Sequence, residues 1–328
     1  MSLTETTIPS PWHDGEVALQ RSAGVADRMA DVGRRVIRDH MPDQHRDFFA
    51  QLPFVVLGSV DDRGDAWATL RANEPGFMGS PDPRRLDVSL ARDPGDPAEA
   101  GLNDGDAVGL LGIELHTRRR NRMNGTVQRR TEGDFTLAVH QSYGNCPRYI
   151  QLRQFEFTRA ADRFQPVETV QYPDRLSVRA KEMIGSADTF FVASYVDLPD
   201  GTRQVDVSHR GGKPGFVHVS EADVLTVPDF AGNLFFNTLG NFSVNPRAGL
   251  VFVDFSTGDL LQIAGVPEVV LQGPEIAAFQ GAERFWRLTP TRIVYRPAAL
   301  PLRWTDDREG ASPNSLMTGG WAVHAAGL

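Results

Sequence analysis

An internal repeat limits the possible folds of this chain more than any other feature of its sequence. Three pairs of segments match in the same order along the chain: 54–61 with 190–197 (offset 136), 71–77 with 210–216 (offset 139) and 109–115 with 249–255 (offset 140). The offset drifts by no more than a loop insertion would cause. Because three collinear matches seldom arise by chance, the pattern predicts one domain that occurs twice.

Both copies have the sequence pattern of an antiparallel β domain. Short β-branched and aromatic runs such as FVVLGSV, AVGLLGIEL and FTLAVH alternate with Asp-Gly, Pro-Asp-Pro and Glu-Gly-Asp turn signals. Before them, residues 15–39 have apolar residues at three- and four-residue steps, which predicts an amphipathic helix that ends near Met41-Pro42. A further helix is predicted in the connector, at RLSVRAKEMI. The predicted organisation has five parts: an N-terminal helical segment (1–50), a first β domain (51–160), a connector (161–185), a second β domain (186–305) and a C-terminal tail (306–328).

Charge and cysteine content argue against several classes of function. The chain has 34 Lys and Arg against 42 Asp and Glu, a formal net charge of −8, whereas nucleic-acid binding needs clustered surplus cations. The single cysteine, Cys146, excludes an intrachain disulfide framework and cysteine-rich zinc or iron–sulfur sites. No apolar run approaches the ~18 residues of a membrane span, and the first residues lack a signal-peptide pattern. We therefore expect a cytoplasmic protein that binds neither nucleic acid nor membrane.

Residues 206–216, with the sequence DVSHRGGKPGF, are the clearest candidate for an anion-binding loop. They bring a hydroxyl, two cations and two glycines together: Ser208, Arg210, Gly211, Gly212 and Lys213. Glycines let backbone N–H groups approach an anion, and cations add charge-assisted hydrogen bonds, so the segment suits a phosphate. A glycine-rich hairpin with solvated charges is the alternative. In the first copy Glu74 stands where Lys213 stands, and a carboxylate repels phosphate, so we expect only the second copy to bind one.

A second candidate segment, residues 227–246, is rich in side-chain amides. Four polar side chains stand among apolar and aromatic neighbours: Asn233, Asn237, Thr238 and Asn241. This mixture fits an aromatic ring with polar edges. Turn and helix-cap roles for asparagine are the alternative.

These stretches resemble the pyridoxamine 5'-phosphate oxidase-like flavoproteins, the FMN-binding split barrels. The resemblance rests on SHRGGKPGF, PDFAGN, NTLGN and NPRAGLVFVDF in the second copy, and on LPFVVLGSVDDRGDAWATLRANEPGF, GLLGIELHTRRRNRMNG and QSYGNCPRYIQLR in the first. It covers roughly residues 45–305 and points to a two-barrel bacterial branch of that superfamily. Arg210 and Lys213 match the family's basic pair for phosphate best. Gln141-Ser142 resembles a Gln-Ser pair that reaches the flavin in the oxidases.

One departure from the family pattern bears on activity. The true oxidases commonly have Ser-Arg-Lys before an Asn-Pro, whereas this chain has Phe236-Asn237-Thr238. Two cations are therefore absent, which argues against activity on pyridoxine phosphates and leaves Asn237 and Thr238 as weaker ligands.

The resemblance implies a mainly β (α+β) fold of two tandem FMN-binding split β-barrels with an N-terminal helical segment. A single FMN is expected in the cleft between barrels that form a pseudo-dimer within one chain, with a homodimer also possible. The leading function is a flavin-dependent oxidoreductase that uses a small-molecule substrate or NAD(P)H as electron donor. The competing function is a flavin-binding or electron-carrying protein without independent turnover. The sequence identifies no catalytic residue and no metal site.

Two further features remain open at this stage. Arg118, Arg120 and Arg122 would share one strand face, for which we expect solvated side chains, with an anion-accepting rim or a nucleic-acid contact as alternatives. For Cys146 we expect a buried, inert thiol, since no second cysteine exists to resolve a disulfide. A redox thiol near the flavin is the alternative.

Overall fold

The chain forms two antiparallel sheets of identical topology. The computed structural model describes residues 10–161, 169–307 and 309–321. The first sheet has the strand order β2-β1-β5-β6-β7-β4-β3. Its strands are β1 Phe54–Val60, β2 Ala66–Ala72, β3 Met78–Asp82, β4 Arg85–Ser89, β5 Ala107–Glu114, β6 Arg119–Arg129 and β7 Asp134–Gly144.

The second sheet repeats this order as β10-β9-β13-β14-β15-β12-β11. Its strands are β9 Thr189–Asp197, β10 Arg203–Gly211, β11 His218–Val219, β12 Leu225–Phe230, β13 Ala248–Asp254, β14 Asp259–Val270 and β15 Ala282–Arg296. Between and after the sheets, β8 (Arg153–Phe157) pairs with β16 (Leu302–Asp306). The predicted duplication and the tandem split-barrel fold are confirmed.

Three helices precede the first sheet, where the periodicity predicted one long helix. They are α1 Asp14–Ser22, α2 Ala26–Val36 and α3 Asp43–Ala50. The break between α1 and α2 falls at Gly24, whose φ of 67° is a left-handed conformation that favours glycine. The second helix ends at Val36, several residues before the predicted end near Met41-Pro42.

Four more helices follow among the residues that the structure describes. They are α4 Val178–Ser186, α5 Asn237–Val244, α6 Pro274–Ala278 and α7 Pro313–Leu316, and a 3₁₀ helix, Pro97–Gly101, lies between β4 and β5. The helix predicted in the connector is α4. The remainder of the predicted connector and tail, residues 162–168, 308 and 322–328, lies outside the described residues. Among the described helices, none is both long and apolar enough to cross a membrane.

Strand pairing corrects one of the three repeat alignments. Leu57 pairs with Leu110 in the first sheet, and Val192 pairs with Leu250 in the second. Because Leu110 and Leu250 correspond at an offset of 140, Leu57 corresponds to Val192, an offset of 135 instead of 136. A one-residue slip in a strand moves every side chain to the opposite face. The predicted match therefore aligned Phe54, which lies in the interface between the barrels, with Phe190, which lies in the second barrel's own core.

The two barrels pack through a shared apolar layer. Buried side chains from both sheets form one cluster, with Phe54, Val56, Ala68 and Leu111 from the first and Phe191, Ala193, Val207 and Val251 from the second. Gly109 and Gly249, which correspond at an offset of 140, lie where the backbones approach most closely. A Cβ atom on Gly249 would lie 2.3 Å from the carbonyl oxygen of Ala66, and one on Gly109 would lie 2.7 Å from that of Val205. The close approach of the barrels thus requires glycine at both positions.

We expect Gly249→Ala to lower the free energy of unfolding by about 1–3 kcal/mol, because the new methyl group overlaps backbone that cannot move freely. Gly79→Ala is the matched control, since Gly79 also lies in a strand and a Cβ there would meet nothing within 4 Å. Chemical denaturation of both variants measures the difference. Equal stabilities of the two variants would contradict the packing argument.

Candidate functional site

A cleft between the barrels takes side chains from both copies. The first barrel contributes β6 and the loop after β7, and the second contributes β10, β12, the loop before α5, the start of α5, and β15. The empty volume is about 900 Å³ including the open mouth. A concave site between two domains is a usual place for a small-molecule ligand.

The cleft carries an excess of positive charge. Its described lining includes five arginines against two carboxylates: Arg120, Arg122, Arg148, Arg210 and Arg284 against Asp229 and Glu283. Asp229 accepts from Arg210 at 2.9 Å and lies 3.4 Å from Arg284. Because two carboxylates do not compensate the charge of five arginines, the lining can bind an anion.

Arg120 and Arg122 project from β6 into the cleft, so the predicted solvated strand face is wrong for both. Arg122 is only 5% exposed. Burial, followed by the neighbouring charges of Arg122 and Arg210, lowers the pKa of Arg120 to about 9, so its guanidinium is still charged at neutral pH. Arg118 precedes the strand and instead donates to the backbone carbonyl groups of Ile150 and Gly310, at 2.9 and 3.0 Å.

Arg122 lies at the centre of a polar network that joins the barrels. Its Nη1 donates to the hydroxyl of Tyr143 and to Oδ1 of Asn237, both at 3.0 Å, and lies 3.5 Å from a carboxylate oxygen of Asp206. Its Nη2 donates to the hydroxyl of Ser208. Its Nε, like those of Arg120 and Arg210, is buried with no hydrogen-bond partner among the described residues.

Only part of the predicted anion-binding loop lies in the cleft. Ser208, Arg210 and Gly211 line the cleft, whereas Gly212 and Lys213 are not among its lining residues. The chain turns away after Gly211, where the backbone N–H of Lys213 donates to Thr318 Oγ1 at 3.1 Å.

His209, which the sequence analysis passed over, also lines the cleft. Its Nε2 is buried with no partner among the described residues. Burial and the charges of Arg120 and Arg210 hold the pKa of His209 well below its usual value, so the ring is neutral at neutral pH.

The amide-rich segment contributes three of its four predicted residues to the cleft. Asn233, Asn237 and Thr238 line it. Asn241 is fully buried behind them, where its Nδ2 donates to Ser194 at 3.0 Å and to Asp206 at 2.9 Å. Asn233 donates to Asn145 Oδ1 at 3.1 Å and so joins the two loops at the mouth of the cleft.

Gln141 and Ser142 lie outside the cleft. Ser142 bonds His45 Nδ1 at 2.9 Å, and Gln141 lies near Asn124 and Gln204. The same sequence motif reaches the cleft a few residues later, through Asn145, Cys146, Arg148 and Tyr149. Cys146 is half-buried in the cleft wall, so the predicted burial of this thiol is wrong, and its inertness stays a prediction.

The loops at the mouth hold unusual backbone conformations. Six non-glycine residues among those described have positive φ, and three of them line the cleft: Tyr149 (65°), Leu234 (65°) and Phe236 (63°). Residues in this region cost free energy and persist where surrounding contacts enforce them. Tyr149 is fixed by a hydrogen bond from its hydroxyl to the carbonyl of Ala231 at 3.0 Å and by stacking on Phe230, with ring centroids 5.5 Å apart.

The pseudo-two-fold counterpart of the cleft, which also takes residues from both barrels, neutralises its own cations. Arg71, the counterpart of Arg210, donates to Glu99 at 2.8 Å, and Arg296 pairs with Asp93 and, at 3.1 Å, with Asp96. Thr69, the counterpart of Ser208, donates to Asp96 at 2.5 Å. The three carboxylates come from the segment before β5, residues 93–99, while the segment before β13 supplies asparagines. The two copies therefore differ through these carboxylates and not through the predicted contrast of exposed Glu74 with Lys213.

Comparison with known proteins agrees with the topology. The family model described as pyridoxamine 5'-phosphate oxidase matches residues 41–163. Among curated proteins, none matches the sequence.

Three solved structures are similar to part of the chain. A putative pyridoxamine 5'-phosphate oxidase from Lactobacillus delbrueckii is 16% identical, with a TM-score of 0.26, and covers 32% of this chain and 95% of its own. HutZ, a haem storage protein from Vibrio cholerae, is 17% identical, with a TM-score of 0.26, over 38% and 95%. An FAD-binding protein from Mycobacterium smegmatis is 16% identical, with a TM-score of 0.25, over 39% and 98%.

The matched residues contain the whole first sheet, and the second sheet repeats its strand order. The first barrel accordingly lies within a segment that matches the pyridoxamine 5'-phosphate oxidase family, and the chain has two split barrels in tandem.

Proposed function

We propose that the cleft binds one FMN and that the chain is a flavin-dependent oxidoreductase. The observation that supports this most is the set of buried guanidinium Nε atoms, on Arg120, Arg122 and Arg210, that have no partner among the described residues although they line a cleft between two split barrels. Buried donors without partners are costly, and an anionic ligand would supply the acceptors.

The phosphate of FMN would lie against Arg120, Arg122 and Arg210, which are called the deep arginines below. Arg120 has no side-chain hydrogen bond to a described residue, and Arg210 has one, to Asp229. The hydroxyl of Ser208, which accepts a hydrogen bond from Thr238 at 3.0 Å, keeps its own proton as a neutral donor. A phosphate dianion thus meets charged and neutral donors together, which is the usual composition of a phosphate site.

The mouth of the cleft would receive the isoalloxazine ring. Tyr149 and Phe230 provide aromatic surface, and the side-chain amides of Asn145 and Asn233 provide donors and acceptors for the polar edge of a ring. Bound flavin supplies reversible electron and hydride transfer, while the protein sets its orientation and access. The electron donor is proposed to be NAD(P)H or a small reduced molecule.

A flavin carrier without turnover is the second candidate. The carboxylates of the described lining, Asp229 and Glu283, are both paired with arginine, and His209 is held in its neutral form. A site whose carboxylates are paired and whose histidine is a weak base favours storage or transfer of electrons over proton-coupled chemistry. Anaerobic addition of NADH and NADPH distinguishes the two functions, since a carrier is reduced at most once per flavin, whereas an enzyme oxidises donor continuously when an acceptor is present.

We expect the purified protein to release FMN on heat denaturation, because the deep arginines form one compact phosphate site and the sequence has no dinucleotide-binding fingerprint. Absorbance and chromatography of the released chromophore identify it. Recovery of FAD would contradict the choice of nucleotide, and recovery of haem would contradict the flavin itself.

We expect Arg210→Ala and Arg120→Ala each to weaken FMN binding by about 1–3 kcal/mol, or roughly 5- to 150-fold in Kd, since each removes a charged donor. Arg71→Ala is the matched control, because Arg71 is the counterpart of Arg210 in the other copy and already pairs with Glu99. It should bind FMN as the wild type does, and so should Lys213→Ala, which changes a residue outside the cleft. Titration of flavin fluorescence at fixed ionic strength gives the four dissociation constants.

Two results would count against this site. Equal losses from Arg71→Ala and Arg210→Ala would remove the assignment to one copy. A loss from Lys213→Ala with normal binding by Arg120→Ala would place the phosphate outside the cleft.

A further inference from the structure

The first helix reaches the floor of the cleft because it packs very closely against α5. A Cβ atom on Gly15 would lie 2.3 Å from the carbonyl oxygen of Gly240, and one on Gly240 would lie 2.7 Å from the backbone nitrogen of Glu16. At this separation, side chains of α1 reach the inner side of α5, whose first turn carries the cleft residues Asn237 and Thr238.

Glu16 is the side chain of α1 that contacts α5 as a result of this close packing. It is 0% exposed, and its Oε1 accepts a hydrogen bond from Asn237 Nδ2. Its Oε2 accepts from the backbone N–H of His13 at 3.0 Å. A carboxyl group so deeply buried is costly unless its hydrogen bonds are made, and here both oxygens have partners.

The Asn237 amide links Glu16 to residues that line the cleft. With Nδ2 held by Glu16, its Oδ1 accepts from Arg122 Nη1 at 3.0 Å, and Arg122 donates through its other terminal nitrogen to Ser208. An amide that rotated by half a turn would present its NH₂ to the guanidinium, which has no acceptor. The position of Arg122 therefore depends on which way the amide is held.

We propose that Glu16 is a positioning residue for the ligand site: it fixes the Asn237 amide and thereby holds Arg122 and Ser208 in place for the phosphate. This inference rests on the proposed function for the identity of the ligand. It adds the N-terminal helical segment to the site, although no residue of α1 lines the cleft.

The electrostatics of the floor are consistent with this role. Burial and the nearby Asp206 carboxylate raise the pKa of Glu16 well above its usual value. Among the described carboxylates only Asp206 lies within ion-pair distance of Arg122, at 3.5 Å, so the guanidinium can still attract an anion in the cleft.

The test compares Glu16→Met, which keeps the volume but loses the acceptor, with Glu16→Gln, which keeps one carbonyl oxygen for Asn237. We expect Glu16→Met to weaken FMN binding about threefold to thirtyfold, the range for residues that act through a neighbour, and Glu16→Gln to restore most of it. Gln20→Ala is the control, because Gln20 is buried on the same helix and donates to the carbonyl of Phe235 at 3.3 Å without touching Asn237. It should bind FMN normally.

A flavin-free crystal structure of Glu16→Met provides the second readout, in which we expect the Asn237 amide rotated and Arg122 displaced from Ser208. If wild-type protein binds no FMN, the proposed function fails while this readout still decides the role of Glu16. Normal FMN affinity in Glu16→Met, an equal loss in Gln20→Ala, or an unmoved Arg122 would each overturn the proposal. Should Glu16→Met not fold, full affinity loss in Glu16→Gln with unchanged Asn237 and Arg122 positions would overturn it as well.

Discussion

The buried guanidinium of Arg122 connects every part of this molecule that matters for the cleft. It comes from β6 of the first barrel, contacts Asp206 and Ser208 on β10 of the second, and meets Asn237 on α5. Removing a charge from water is costly unless partners surround it, so these elements are constrained to meet at one point. The apolar layer between the barrels gives most of the association, and the charged contact fixes which edges come together.

The contacts of Arg122 are not repeated at the position that the pseudo-two-fold axis relates to it. At the position that corresponds to Arg122, the second copy has Gln262, which donates to the carbonyl of Ala68 and to Asp96, both at 3.0 Å. The cation that crosses the interface there is Arg296 of the second barrel, which pairs with Asp93 and Asp96, so the carboxylates of residues 93–99 compensate its charge. One half of the pseudo-two-fold therefore holds a satisfied ion-pair network, and the other holds arginines that still have donors to offer.

The sequence predicted much of the fold because the repeat and the alternation of strand residues are local signals. It found Ser208 and Arg210 from their residue types, and their counterparts Thr69 and Arg71 are the correct ones. It misplaced the alignment of the first strand pair by one residue, since the chance identity of Phe54 and Phe190 outweighed the face on which each residue lies.

The site itself depended on contacts that no local pattern contains. Arg120 and Arg122 alternate with other residues like any exposed strand face, and only the second barrel packed against them buries Arg122 and half-buries Arg120. The predicted Gln141 and Ser142 lie outside the cleft, because the strand runs on to Gly144 before the chain enters it. Glu16 contacts a residue 221 positions away and has no sequence signal beyond its place in a helical first turn.

The carboxylates of residues 93–99 neutralise only one of the two pseudo-equivalent sites, and this asymmetry affects which substitutions the protein can accept. In a symmetric homodimer every substitution occurs twice, so a carboxylate that seals one cleft seals both. Here the two halves are separate stretches of one polypeptide, and Glu99 stabilises one half without being imposed on the other. Duplication within a chain thus lets one of the two pseudo-equivalent sites become an ion-pair network while the other keeps arginines whose donors are unpaired, which two identical subunits cannot do.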